Sequence, residues 1–123
     1  MRPLLEHLDE FLRAASEARH LCLLSDFDGT LAPLELRPDQ ARLPEALRTL
    51  LETLARQPRT TIGILSGRSL EDLRSKIGLE RIWYVGNHGY ELCAPSGELS
   101  LLYDPRDLGV LEKLEAELRA QPA

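Results

Sequence analysis

The sequence predicts an α/β fold in which a parallel β-sheet is flanked by helices. Three short apolar runs of strand length alternate with segments whose leucines recur at helical spacing. The first run, residues 20–25, is continuously apolar, which is typical of a strand buried on both faces of a parallel sheet. An order of strand, helix, strand, helix, strand implies right-handed crossovers between parallel strands. With 123 residues, the chain has the length of one domain.

Each predicted element has its own signal. In chain order they are an amphipathic helix at 4–18, a strand at 20–25, a helix at 43–54, a strand at 60–65, a helix at 69–77, a strand at 82–85, a hairpin at 90–94 and 99–103, and a last helix. Ser69 and Asp72 form a capping box at the start of the third helix, and Gly78 ends it. Asp104 is predicted to cap the last helix, with Pro105 in its first turn.

One connection is unusually long. Residues 31–43, here called the long loop, lie between the first strand and the second helix and contain Pro33 and Pro38. Strand-to-helix loops usually take about 2–6 residues. We therefore expect the long loop to form a flap over a site.

The composition excludes several classes of function. A net charge of −5 and a pI of about 5.2 argue against nonspecific binding of nucleic acid, whose phosphates need a basic surface. No apolar stretch approaches the ~20 residues of a membrane span. Cys22 and Cys93 both lie in apolar runs, so we expect buried, reduced thiols and a cytoplasmic protein.

Polar, glycine-rich turns follow all three strands. Asp26–Thr30 ends the first strand, Ser66–Arg68 ends the second and Gly86–Gly89 ends the third. In open α/β sheets, ligands bind beyond the carboxyl ends of the strands. Three strand ends that converge in such turns predict a binding site more strongly than any one of them does.

The first turn carries two carboxylates, those of Asp26 and Asp28. Their side chains point the same way in an extended chain, and a carboxylate pair needs a cation, for which Mg²⁺ is the suitable hard ion. Gly29 allows the backbone to turn and to present its N–H to an anion. The hydroxyls of Thr30 and Ser66 can donate hydrogen bonds to phosphate oxygens. The predicted substrate is therefore anionic, and a phosphate ester fits best.

The second turn adds a cation. Arg68 can clamp a phosphate or a sugar hydroxyl, although an exposed salt bridge explains the residue equally well. Ser66 precedes a helix, whose N-terminus favours negative charge.

These turns resemble signatures of the haloacid dehalogenase superfamily of phosphotransferases. The Asp-x-Asp-Gly-Thr signature after a buried strand is matched by residues 26–30, and the Ser or Thr that ends the next strand is matched by Ser66. Within the superfamily, Asp-Gly-Thr-Leu-Ala-Pro, Ser-Gly-Arg and Gly-Asn-His-Gly-Tyr-Glu at 86–91 together resemble the trehalose-6-phosphate phosphatases. The likeness covers roughly residues 20–105 and implies the N-terminal half of a haloacid dehalogenase-like, Rossmann-like core, with a hairpin and the start of a cap helix.

The resemblance implies a mechanism and a set of roles. Asp26 would attack phosphorus to form an aspartyl-phosphate, and Asp28 would act as general acid and then as general base. Mg²⁺ would be held by the Asp26 carboxylate and by the backbone carbonyl of Asp28. The remaining expected roles are phosphate binding by Gly29, Thr30, Ser66 and Gly67, and substrate binding by Arg68, Asn87, His88 and Glu91.

Two further signatures of the superfamily, a lysine and an Asp pair, have no match in this sequence. Lys76 and Lys113 both fall inside predicted helices, and no Asp-Asp occurs. We therefore expect residues 1–105 to be a partial phosphatase core, residues 106–123 to begin a cap domain, and the remainder of the enzyme to lie C-terminal to Ala123. The alternatives are a non-catalytic module that binds a sugar phosphate or a partner protein, and a phosphatase or phosphomutase for another sugar.

Overall fold

The structure, a computed structural model, describes residues 3–102 and 105–120. A 3₁₀ turn at Leu4–His7 leads into the first helix. The elements are α1 (Leu8–Glu17), β1 (Leu21–Asp26), α2 (Glu45–Ala55), β2 (Thr60–Leu65), α3 (Leu70–Ile77), β3 (Trp83–Gly86), β4 (Glu91–Cys93), β5 (Leu99–Leu101) and α4 (Pro105–Ala120), with short 3₁₀ turns at Pro38–Gln40 and Asn87–Gly89. Every predicted element is present with small differences at its ends, and Asp104 lies outside the described residues.

The five strands form one sheet in the order β1-β2-β3-β4-β5. β1, β2 and β3 are parallel, and the hairpin adds β4 and β5 as antiparallel strands. In the register of the sheet, Asp26 pairs with Leu65 and Leu65 pairs with Val85. The predicted α/β fold is therefore confirmed, and the ends of the three parallel strands lie side by side.

The core lies between the sheet and the two crossover helices, α2 and α3. Arg48 of α2 donates a hydrogen bond to the carbonyl of Ile77 at the end of α3, so the two helices are neighbours on one face of the sheet. The core is formed by the buried residues Phe27, Ala32, Ala41, Leu43, Leu51, Ile62, Ile64, Leu70, Leu73, Ile77, Leu79, Ile82, Tyr84 and Cys93.

The ends of α3 follow from its sequence. Ser69 is the N-cap, and its hydroxyl accepts a hydrogen bond from the Asp72 amide at 3.2 Å. Gly78 follows the helix with φ of +62°, a left-handed conformation that glycine adopts without steric cost. Beyond it, the buried Tyr84 hydroxyl donates to the Leu79 carbonyl at 2.5 Å and accepts from the Leu79 amide at 3.0 Å. Tyr84 thereby fixes the connection between α3 and β3.

The expectation that β1 is buried on both faces is wrong for the described residues. β1 is an edge strand that pairs only with β2, and Leu24 is 61% exposed. Cys22, expected to be buried, is exposed on the same strand, whereas Cys93 is buried as expected. A strand with one neighbouring strand and one covering layer of helices cannot bury both faces.

The first helix also leaves its apolar side uncovered. α1 has no buried residue, and Leu8, Phe11 and Leu12 are all exposed. The prediction of an amphipathic helix is confirmed, but the described residues do not cover its apolar face. None of the described helices is long and apolar enough to cross a membrane.

Candidate active site

The turn after β1 separates the two carboxylates from the core. Phe27, which lies between Asp26 and Asp28, is fully buried, whereas Asp26 is exposed. The carbonyl of Phe27 accepts hydrogen bonds from three successive amides, those of residues 30–32. This alternation confirms that both carboxylates lie on the side of the turn away from the core.

Gly29 supplies the sharpest bend of this turn, with φ of +80°. Its N–H, expected to face an anion, donates instead to the Ala32 carbonyl at 2.8 Å. The expectation that this N–H is presented to an anion is therefore wrong for this conformation, because the amide already closes the turn. Thr30, the next residue, is exposed.

Arg68 binds the carboxylate of Asp28 through two parallel hydrogen bonds. Its Nε donates to Oδ2 at 2.9 Å, and its Nη2 donates to Oδ1 at 2.6 Å. Such a fork fixes the plane of the carboxylate as well as its distance. The pair joins the turn after β1 to the turn after β2.

The same guanidinium has three further contacts. Nη1 donates to Asp72 at 2.8 Å, Nη2 donates to the carbonyl of Pro38 at 2.7 Å, and the guanidinium carbon lies 5.7 Å from the centre of the Phe27 ring. The side chain of Arg68 is only 11% exposed. Its contact with Asp28, Asp72 and Pro38 at once makes Arg68 the point where β1, α3 and the long loop meet.

These contacts change the protonation of Asp28. The two hydrogen bonds from Arg68 lower the pKa of the Asp28 carboxyl below its ordinary value, although partial burial acts in the opposite direction. The charge of Arg68, the Ser66 hydroxyl and the charge of Lys76 lower this pKa further. Asp28 is therefore an ionised carboxylate at neutral pH.

The surroundings of the Asp26 carboxylate differ from those of the Asp28 carboxylate. Among the residues that the structure describes, no hydrogen bond or ion pair engages its carboxylate, which lies exposed at the end of β1. An open carboxylate at this position suits a nucleophile or a metal ligand. One such group falls short of the six or so oxygens that Mg²⁺ prefers, and the described residues contain no cluster of three or more His, Cys, Asp or Glu residues that could hold a metal.

Ser66 connects the second turn to the third. Its hydroxyl accepts a hydrogen bond from the Arg68 amide at 3.1 Å, and its carbonyl accepts from the His88 amide at 3.2 Å. The Asn87 amide donates to the Arg68 carbonyl at 2.6 Å. The predicted convergence of Ser66, Arg68, Asn87 and His88 is therefore present as a network of hydrogen bonds among backbone groups and the Ser66 hydroxyl.

The third turn has an uncommon backbone. Asn87 and His88 have φ of +48° and +56°, and Gly89 continues with +96°. Asn and His are among the non-glycine residues that are enriched in this left-handed region. The strain is balanced by the hydrogen bonds that both amides make to the second turn.

Close contacts with glycine hold the second and third turns together. A Cβ on Gly86 would lie 2.7 Å from the backbone nitrogen of Leu70, so only glycine lets β3 approach the start of α3. A Cβ on Gly67 would collide with the imidazole of His88. His88, which is exposed, is therefore packed beside the turn that contains Ser66.

Glu91 is the outermost of the predicted site residues. Its Oε2 accepts a hydrogen bond from the Leu70 amide at 3.3 Å, and a carboxylate at the first amide of a helix is stabilised by the helix dipole. In this conformation Glu91 caps α3. Its expected contact with substrate stays a prediction.

The long loop lies against the site. Besides the contact of Pro38 with Arg68, the ammonium group of Lys76 donates to the carbonyls of Asp39 and Ala41 at 3.1 and 3.4 Å. Arg68, in the turn before α3, and Lys76, within α3, therefore hold three carbonyls of the long loop.

The sequence did not reveal the partners of Arg68. Asp72 was interpreted only as part of a capping box, although its spacing of four residues from Arg68 is that of a helical ion pair. No local signal reveals the contact with Pro38, because the two residues are 30 positions apart. Phe27 occupies the variable position of the Asp-x-Asp-Gly-Thr signature, and in the structure its ring lies under the guanidinium of Arg68.

The chain is similar to known sequences of one phosphatase family. A family model described as trehalose-phosphatase matches residues 24–121. The trehalose-phosphate phosphatase of Mycobacterium tuberculosis is 43% identical over 110 residues, which are 85% of this chain and 26% of that protein. The corresponding protein of Mycobacterium ulcerans is 41% identical over 99 residues, or 76% of this chain and 24% of that protein. The chain thus spans about a quarter of the length of the curated relatives it matches.

The chain is also similar to solved structures of trehalose-6-phosphate phosphatases. The C-terminal domain of Candida albicans trehalose-6-phosphate phosphatase has a TM-score of 0.78 and 27% identity, and the match covers 88% of this chain and 38% of that one. A haloacid dehalogenase-like hydrolase from B. subtilis shares the fold, with a TM-score of 0.55 and 22% identity over 78% of this chain and 33% of that one. Because the family match extends over most of its length, this chain belongs to the trehalose-phosphatase family.

Proposed function

We propose that the protein to which this chain belongs hydrolyses trehalose 6-phosphate to trehalose and phosphate. The observation that carries the proposal is the convergence of Asp26, Asp28 and Ser66 at the carboxyl ends of adjacent parallel strands, in a chain of the trehalose-phosphatase family. An open carboxylate, a paired carboxylate and a hydroxyl at one sheet edge suit phosphoryl transfer.

Each acid has a distinct proposed role. Asp26, whose carboxylate is exposed, attacks phosphorus and carries the phosphoryl group as an aspartyl-phosphate while the sugar oxygen leaves. Asp28, which is ionised at neutral pH in this structure, takes up a proton when the negatively charged substrate binds beside it, passes that proton to the leaving sugar oxygen, and later takes one from the attacking water. Mg²⁺, held by the Asp26 carboxylate and the Asp28 backbone carbonyl, would offset negative charge between the nucleophile and the phosphate.

The other predicted residues complete the proposed site. The turn around Gly29 and Thr30 and the turn of Ser66 and Gly67 hold the phosphate. Asn87, His88 and Glu91 belong to the proposed sugar side, and Arg68, which was predicted to join them, is assigned another role below. We also propose that residues 106–123, which include most of α4, begin a cap domain.

Release of phosphate from trehalose 6-phosphate by the complete gene product tests this function. We expect activity that is lost on chelation of divalent cations, restored by Mg²⁺, and abolished in Asp26→Asn. Asp9→Asn, a change of an exposed acid in α1, is the matched control and keeps full activity. Failure of the unsubstituted protein to release phosphate, or full activity in Asp26→Asn, contradicts the proposal.

The covalent step has its own test. After brief incubation with trehalose 6-phosphate labelled in its phosphate and an acid quench, we expect label bound to the protein and released by hydroxylamine, as for an acyl phosphate. Asp26→Asn should retain none. Equal turnover of glucose 6-phosphate or sucrose 6-phosphate would point to a phosphatase for another sugar.

A further inference from the structure

We infer that Arg68 is a positioning residue, which holds the Asp28 carboxylate in place and links it to the long loop, rather than a residue that binds substrate. The inference rests on the proposed function and assigns Arg68 a different role within it. Its basis is the geometry of one guanidinium and the three chain segments that it contacts.

The hydrogen-bonding capacity of Arg68 is nearly used up. Four hydrogen bonds leave its guanidinium, two to Asp28, one to Asp72 and one to the Pro38 carbonyl, and a guanidinium carries only five N–H groups. A phosphate or a sugar hydroxyl would have to displace one of these partners to be bound bidentately. With 11% of the side chain exposed and its guanidinium carbon 5.7 Å from the centre of the Phe27 ring, Arg68 is packed in place.

The contact with Asp28 restrains the carboxylate itself. Two parallel hydrogen bonds fix the rotation of the carboxylate about its bond to Cβ, which one point charge does not do. Asp28 needs such a restraint because it lies in a turn, two residues beyond the end of β1. Misplacement of a reacting group by about 1 Å costs on the order of 100-fold in rate.

The long loop is connected to Asp28 through the same nitrogen. Nη2 donates both to Asp28 Oδ1 and to the Pro38 carbonyl, so one nitrogen of Arg68 contacts both the carboxylate and the long loop. Lys76 is the second anchor of the loop, through Asp39 and Ala41, and it makes no hydrogen bond to Asp28 among the described residues. Lys76→Met therefore loosens the loop and leaves the fork on Asp28 intact, which makes it the matched control.

Steady-state kinetics on the complete gene product with trehalose 6-phosphate test the inference. In Arg68→Met we expect kcat to fall about 100-fold, with KM within about threefold of the unsubstituted value, because positioning acts on the chemical step. Arg68→Lys keeps the positive charge but loses the two parallel hydrogen bonds to Asp28, so we expect a similar loss of kcat. This variant replaces Arg68→Met in the kinetic test if Arg68→Met does not fold. Free guanidinium ion added to Arg68→Ala should restore part of the lost kcat and should not act on the unsubstituted protein.

Hydrogen exchange of the long-loop amides gives a second readout that does not depend on turnover. We expect faster exchange over residues 31–43 in both Arg68→Met and Lys76→Met, with kcat of Lys76→Met within about twofold of the unsubstituted value. A rise in KM at constant kcat in the Arg68 variants, an equal loss of kcat in Lys76→Met, or full activity in Arg68→Met would overturn the inference. Absence of activity in the unsubstituted protein would instead refute the proposed function on which it rests.

Discussion

Replacement of Asp28 by asparagine should destabilise the fold as well as stop the reaction. The carboxylate accepts two hydrogen bonds from Arg68, whereas the amide of asparagine keeps one acceptor oxygen and turns an NH₂ group towards a donor. Replacement of Asp26 removes a carboxylate that has no partner among the described residues. The two substitutions are chemically identical and two positions apart, so each is the control of the other.

The expected loss of stability in Asp28→Asn follows from the burial of the ion pair between Asp28 and Arg68. A hydrogen bond to a charged group contributes about 1.5–3 kcal/mol, and removal of one partner of a fully buried pair costs about 3–5 kcal/mol. Here the Arg68 side chain is 11% exposed but that of Asp28 is 32% exposed, and Arg68 keeps Asp72 as a counter-ion. We expect Asp28→Asn to lower the free energy of unfolding by about 2 kcal/mol, and Asp26→Asn to change it by no more than about 0.5 kcal/mol.

The contribution of Asp28 to the free energy of unfolding should depend on pH in a defined direction. The pKa of Asp28 is lower in the folded protein than in the unfolded chain, where it is about 3.9. Its contribution to stability is therefore present above that unfolded pKa and is lost as the pH falls through the folded value. The difference between the unsubstituted protein and Asp28→Asn should be constant near neutral pH and should shrink below about pH 4.

Urea unfolding of the complete gene product at pH 7 and at low pH is the assay. Hydrogen exchange of peptides from β1 and α3 identifies the transition that belongs to this unit. Equal destabilisation by the two substitutions, or a difference that persists unchanged in acid, would refute the argument that the fork between Arg68 and Asp28 carries the stability.

Three further substitutions test the packing around the site. Tyr84→Phe leaves a buried amide and a buried carbonyl without their partner and should cost about 1–3 kcal/mol in the free energy of unfolding, measured by urea denaturation. Gly86→Ala should cost at least about 1–3 kcal/mol, because its Cβ meets the backbone of Leu70 at 2.7 Å; an unchanged urea midpoint would contradict this. Gly67→Ala displaces the imidazole of His88 and should raise KM for trehalose 6-phosphate with little change in the urea midpoint, whereas an unchanged KM would argue against a role of that imidazole in binding.

Elements with local signals were predicted closely from sequence. β2 was predicted at 60–65 and observed at Thr60–Leu65, and α3 has the predicted cap at Ser69 and the predicted stop at Gly78. These features depend on residues within one or two turns of each other, so a pattern in the sequence can record them. The convergence of the three strand ends was also predictable, because it follows from the parallel order of the strands.

Features that depend on distant segments were not predictable. The burial expected for β1 depends on what lies on both sides of the strand, and among the described residues only β2 pairs with it. The partners of Arg68 lie 40 residues away at Asp28 and 30 residues away at Pro38, and the latter contact uses a backbone carbonyl, which any residue carries. A sequence motif therefore made Arg68 a candidate site residue but did not reveal what it contacts.

The negative charges of Asp26 and Asp28 are compensated to different extents in the structure. Carboxylates two residues apart repel each other, and the sequence alone suggested that a metal compensates both charges. In the structure Arg68 already compensates Asp28, whereas Asp26 remains open. A cation that binds here consequently meets one uncompensated carboxylate rather than two. The same difference suits the proposed division of labour, because a nucleophile must reach phosphorus directly, while a group that transfers protons must be held at a fixed orientation.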